Sequence, residues 1–219
     1  MSYKKMYTRF LEIFPTLGIL IFGALYAYSS TLYPGGSQAN INSEGFDWVH
    51  NYWCDLMNEN GMNLEPNPAS PVAVSAMMIL CISLMSLFIR FAGNFANHPV
   101  WKKVIMICGT ISMICAILVF TRYHSVMIAV SSLFGLFTLV GIIFEVYNSN
   151  LKALKFGGLF CILLLAVNNY IYYSREWVEI LPLLQKITFA LVLLWLIGIN
   201  YSLKLKRKNP ESSLSESRI

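Results

Sequence analysis

Six stretches of the chain, each about 20 residues long and predominantly apolar, decide most of what it can fold into. They run from Ile13 to Tyr33, Pro71 to Phe91, Trp101 to Thr121, His124 to Tyr147, Ala153 to Tyr173 and Leu181 to Leu203. About 20 residues at 1.5 Å per residue cross roughly 30 Å of hydrocarbon, and a helix satisfies its own backbone over that distance. The expected fold is all-α: a polytopic bundle of six transmembrane helices over 13–203, with a tail at 1–12 and a basic tail at 204–219. The end of that second tail, Asn209 to Ile219, is rich in Ser and Glu and has the composition of a disordered segment. With 57% hydrophobic and only 12% charged residues, the chain lacks the charge to coat a soluble surface.

The first apolar run exceeds the roughly 7 to 15 residues of a signal-peptide core, so an uncleaved first helix is expected. The net charge of +5 does not point to nucleic acid, because Lys and Arg lie at the ends of apolar runs rather than on one soluble segment. Of the five cysteines, Cys81, Cys108, Cys115 and Cys161 fall inside apolar runs and Cys54 in a polar loop, which gives no disulfide framework. No long-period repeat is visible, so an inverted-repeat transporter has no support from the sequence.

Orientation follows from the basic residues. Lys4, Lys5 and Arg9, then Arg90, Lys102 and Lys103, then Lys152 and Lys155, then Lys204, Lys206, Arg207 and Lys208 all fall on one side if six helices alternate. The other side has a 37-residue loop, Pro34 to Ser70, with five acidic residues and no Lys or Arg, followed by a turn with Arg122 and a short loop with Arg175. The positive-inside rule then puts both termini in the cytoplasm and the acidic loop outside, in the plasma (inner) membrane. Tyr170, Tyr172, Tyr173 and Trp177 at outer ends, and Trp101, Tyr147 and Tyr201 at inner ends, occupy belt positions.

Within the outer loop, Ser43 to Gly61 reads as an amphipathic helix, with Ser43 as cap and Gly61 as stop. Phe46, Val49, Trp53, Leu56 and Met57 share one helical face, and Asp47, His50, Asn51, Cys54, Asp55 and Asn58 the other. Arg122 and His124, in the turn between the third and fourth helices, emerge on the same side and would meet Asp47, His50 and Asp55. One reading is an ion-pair cluster, with Arg122 closing against Asp47 or Asp55. The other is a zinc site with His50, His124 and Asp55 as ligands, since a catalytic zinc needs about three protein ligands and an open position. No HxxxH or HExxH pair occurs, and the third histidine, His98, falls on the opposite side.

Polar residues inside the helices are few. Asn168 and Asn169 in the fifth helix and Gln185 and Lys186 in the sixth lie toward the outer side; Glu145 lies two residues from the inner end of the fourth, within reach of water. Asn168 and Lys186 extend the outer polar cluster of Asp47, His50, Asn51, Asp55, Arg122 and His124. Thr110, Ser112, Ser131 and Ser132 are a thin supply for a conduction path through the inner half.

Several short motifs carry a resemblance: Tyr33-Pro34-Gly35-Gly36 after the first helix, Cys54-Asp55-Leu56-Met57 in the loop, Asn67-Pro68-Ala69-Ser70-Pro71 entering the second helix, and His124 opening the fourth. In this layout the chain resembles the bacterial six-helix membrane family catalogued as domain of unknown function 998, and more distantly the DRAM/Sfk-like proteins. It departs where that family commonly has Ser-x-Leu-Gly, replaced here by Asp55 to Gly61. The resemblance implies a fold rather than an activity. Asp47-Trp48 with Asn51-Tyr52 also looks like the calcium-binding lead-in of alkaline ceramidases, whose zinc-binding HxxxH is absent here.

The expected function is that of a non-enzymatic integral membrane protein binding lipid or a protein partner through its outer polar mouth, with no cofactor. One alternative is a metal-dependent hydrolase acting on lipid at the outer leaflet, with Asp47 and Asp55 as catalytic candidates and zinc as the metal. Another is a small-solute transporter, which requires a polar cavity reaching mid-bilayer around Asn168 and Lys186.

Overall fold

The computed structural model describes residues 3–149 and 151–208. Six helices form: α1 (Tyr3–Ser30), α2 (Ser70–Asn94), α3 (Pro99–Ile117), α4 (His124–Tyr147), α5 (Lys152–Ser174) and α6 (Leu181–Lys208). All six are long and apolar enough to span a bilayer, and no strand forms among the described residues. The chain is a multi-pass membrane protein. The expected disorder of 209–219 lies outside the described residues.

The apolar windows locate the spans but not every helix end. The tail expected at 1–12 is helical from Tyr3, because nothing in that stretch breaks a helix and Pro15 is absorbed within α1. At its other end α1 stops at Ser30 rather than Tyr33. The hydroxyls of Ser29, Ser30 and Thr31 each donate to the carbonyl three residues back, at 2.9, 2.8 and 2.7 Å, which satisfies acceptors the last turn would otherwise leave bare. Pro71 sits in the first turn of α2 as expected, but Ser70 does not cap it; its hydroxyl donates to the Met57 carbonyl at 2.8 Å.

Consecutive helices pack as neighbours, and α6 closes the arrangement against α1 and α2. The core lies where α1, α2 and α6 meet, in Phe22, Leu80, Leu87, Phe91, Leu196 and Ile199, none more than 2% exposed. Close approach of α1 to α2 depends on Gly18, since a Cβ there would stand 1.8 Å from the Ser83 hydroxyl oxygen. On α3 and α4, Ser112 and Ser131 each donate to the other's carbonyl, at 2.8 and 3.0 Å.

Two polar knots hold the end of the bundle that carries the chain termini. Asn200 of α6 donates to the Glu12 carbonyl and the Thr16 hydroxyl of α1 and accepts from Arg90 of α2, each at 2.9 Å. Glu145, expected to meet water, is instead 4% exposed, and its two carboxylate oxygens accept the backbone N–H groups of Asn97 and His98 at 2.9 and 3.0 Å. It thereby supplies from α4 the cap that the start of α3 lacks locally.

Candidate functional site

The candidate site is the cap formed by residues 31–69 over the other end of the bundle. The amphipathic helix expected over Ser43 to Gly61 does not form. Gly45 turns the chain with φ +64°, Asp47 and Asn51 organise a turn, and the only helical piece is the 3₁₀ turn Trp53–Met57. The physical reason lies in the polar side chains, which bond local backbone groups and so compete with a helix. Of the face expected to be apolar and packed, Leu56 and Met57 are buried while Val49 is 44% exposed.

Asn51, fully buried, is the hub. Its Oδ1 accepts the Asp47 N–H at 2.9 Å, and its Nδ2 donates to the Gly36 carbonyl at 2.9 Å and to Asp55 Oδ2 at 3.2 Å. Asp55 Oδ2 also accepts the Tyr52 N–H at 2.8 Å. Asn67 is a second hub: its Nδ2 lies within hydrogen-bond distance of the carbonyls of Asp55, Leu56 and Asn58, and its Oδ1 accepts the Ala69 N–H. Tyr33, just past α1, accepts the Met62 N–H on its hydroxyl at 3.0 Å.

Lys186 of α6 joins cap to bundle. It is 7% exposed, donates from Nζ to the Asn51 carbonyl and, at 3.1 Å, to that of Pro182, and stands over the Phe46 ring. Its charge acts on Asp55, whose carboxyl is nonetheless held above the ordinary range because burial outweighs the hydrogen bonds from Asn51 and Tyr52 and the pull of Lys186. Asp47 goes the other way: burial pushes its carboxyl up, but the hydrogen bonds of His50 and of the Val49 and His50 backbone together hold it below that range. His50 Nδ1 lies 2.7 Å from Asp47 Oδ2, and both side chains are partly exposed. Burial, with Asp55 adding to it, pushes the Cys54 thiol up to about 12, which makes it a poor nucleophile at neutral pH.

The structure therefore brings together Asp47, His50, Asn51, Asp55 and Lys186. It leaves out the others. Arg122 lies over the neighbouring Tyr123 ring, 4.9 Å from its centroid, while within the cap Asp47 pairs with His50. His50, His124 and Asp55 do not assemble into a ligand set: no group of three or more His, Cys, Asp or Glu among the described residues is placed to hold a metal ion. The reason is positional, since His124 opens α4 while the cap is fastened to α1, α2 and α6. Asn168 bonds the Thr188 hydroxyl of α6 at 2.7 Å, a link between α5 and α6 rather than to the cap. Below it, α6 buries Leu193, Leu196 and Ile199 before Asn200 enters the polar knot with α1 and α2.

Beneath the cap lies a feature without a sequence signal. Trp53 packs its ring among Phe22, Tyr26 and Phe189, with centroids 5.7, 5.3 and 5.1 Å away. The Tyr26 hydroxyl and Trp53 Nε1 are both buried there with no hydrogen-bond partner. Asn67, Tyr33 and Glu145 were also not identifiable as structural hubs from residue type, because their partners are backbone groups distant in sequence.

Comparison of the chain with family models, with curated proteins and with solved structures gives no match.

Proposed function

We propose that this is a lipid-binding protein of the plasma (inner) membrane, with both termini cytoplasmic and the cap on the outer face, and that it acts by contact rather than by catalysis. The carrying observation is how the cap divides its side chains. The polar ones, Asn51, Asp55 and Asn67, are spent on the cap itself, whereas Trp48 and Val49 are 49% and 44% exposed and Leu64 is 80% exposed. Large apolar side chains left outside a well-bonded cap suit a surface that meets lipid rather than water. Tyr172, Tyr173 and Trp177, with Arg175 over the Tyr172 ring at 5.1 Å, extend that surface at the end of α5. The bias of Lys and Arg toward the other end supports the orientation. Kinship with the domain 998 family belongs to the same proposal, supported by the structural weight that Asp55 and the Asn67-Pro68 step carry in the cap.

Fluorescence of the protein in vesicles containing lipid brominated near the glycerol end of its chains tests this reading. Subtracting the signal of Trp48→Phe isolates Trp48, and that difference is quenched by brominated lipid and insensitive to aqueous iodide. The reverse pattern would place the cap in water and end the proposal.

A lipid hydrolase keeps one supporting observation, the carboxylate-oriented imidazole of His50. Against it, His50, His124 and Asp55 do not assemble as metal ligands, and no other such group occurs among the described residues.

A further inference from the structure

Buried polar groups in native proteins are almost always partnered, so two orphan donors in one aromatic cluster require an account. Tyr26 is 2% exposed, and its ring lies 4.4 Å from that of Phe22 and 5.3 Å from that of Trp53. Trp53 Nε1 can only donate, and the Tyr26 hydroxyl donates by choice when nothing beside it offers a proton. The Phe22 and Phe189 rings supply no acceptor, and the Cys54 and Cys81 thiols near Tyr26 are only weak ones. A water placed here would accept two hydrogen bonds and leave its own hydrogens against carbon, short of the partners that buried waters have. A carbonyl oxygen fits better, with two lone pairs and no hydrogen to place.

The position of the pair narrows the source. Tyr26 sits one turn before the end of α1, about 6 Å along the helix from Ser30, at the depth where a bilayer changes from acyl chain to glycerol ester. Trp53 belongs to the 3₁₀ turn of the cap rather than to a spanning helix, and its ring is only partly buried. It is therefore the one wall of the cluster that no spanning helix supplies. We propose that Tyr26 and Trp53 form a carbonyl-binding pair that takes the ester group of a membrane glycerolipid, with Trp53 turning aside to admit it. The proposal rests on the lipid-binding reading above and names the atoms that would carry it.

The test uses the purified full-length protein, delipidated in detergent, with two added lipids of the same headgroup and chain length: ester-linked phosphatidylglycerol and its ether-linked analogue. The ester lipid is expected to raise the unfolding temperature of the wild type by about 5 °C more than the ether lipid. Tyr26→Phe should abolish that difference. Equal shifts with both lipids would overturn the carbonyl pair while leaving lipid binding intact; no shift with either would overturn both. Where Tyr26→Phe does not fold, the indole N–H resonance of Trp53 in ¹⁵N-tryptophan-labelled wild type decides. It moves with the ester lipid and not with the ether lipid, and a resonance indifferent to both, as a resident water would give, contradicts the proposal.

Discussion

Asp47 and Asp55 are eight positions apart in one cap, yet their environments displace them in opposite directions, and the difference is one of solvent. Asp55 is buried and its carboxyl is raised above an unfolded value of about 4. Its protonated form is the one folding favours, so its contribution is full below about pH 4 and is lost as pH rises through the folded value. Asp47 is lowered, so its contribution is present above about pH 4 and lost as pH falls through its folded value. Asp47→Asn should therefore make thermal stability fall less steeply on acidification than it does in the wild type. For Asp55 the contrast lies between two substitutions. Its Oδ2 is the acceptor for both Asn51 and Tyr52, and an amide oxygen can keep that role. Asp55→Asn should stay within about 1 kcal/mol of wild type at pH 7, whereas Asp55→Leu leaves two buried donors bare and should cost about 2 to 4 kcal/mol. Equal losses in thermal unfolding would mean that the carboxylate charge, not the acceptor, holds the cap.

At the scale of elements, the helices meet through a few substitutes for local caps. α3 begins at Pro99 with no side-chain cap of its own, and Glu145 reaches across from α4 to take the N–H groups of Asn97 and His98. Glu145→Ala should destabilise the protein by about 2 to 4 kcal/mol, with Glu145→Gln intermediate, as read from thermal unfolding in detergent. An unchanged midpoint for Glu145→Ala would show that the α2–α3 connection does not depend on this contact. How legible these elements were follows from the same distinction between local and distant partners. Apolar run length depends only on neighbours in sequence, so all six spans were readable, α4 to its terminal residues. Within the cap, Ser43 to Gly61 reads as a helix in the sequence because its apolar residues keep a helical spacing. That spacing could not reveal that Asn51 bonds Gly36 fifteen residues away, or that Lys186 reaches Asn51 across 135 residues. Asp47, His50, Asn51, Asp55 and Lys186 were legible as a group because they are polar residues on one side of a membrane chain. Arg122 and His124 share that side and still do not join them, since sidedness fixes depth but not position around the bundle.

For the whole molecule, the account comes down to one relation, a six-helix bundle closed at one end by a fixed cap that α6 holds through Lys186. The core of α1, α2 and α6 would stand without the cap, but the aromatic cluster of Phe22, Tyr26, Trp53 and Phe189 would not, because Trp53 comes from the cap itself. A connector that merely crossed the surface would exchange its amide hydrogens quickly, whereas a packed and hydrogen-bonded cap is protected. Hydrogen exchange on the protein in lipid nanodiscs, comparing wild type with Lys186→Met, is the most direct test. The expected result is slow exchange at Asn51, Tyr52, Asn67 and Ala69 in the wild type, accelerated by at least about tenfold in Lys186→Met for a loss of about 1.4 kcal/mol or more, with the six helices unchanged. Fast exchange throughout 31–69 in the wild type, or protection that Lys186→Met leaves intact, would contradict it.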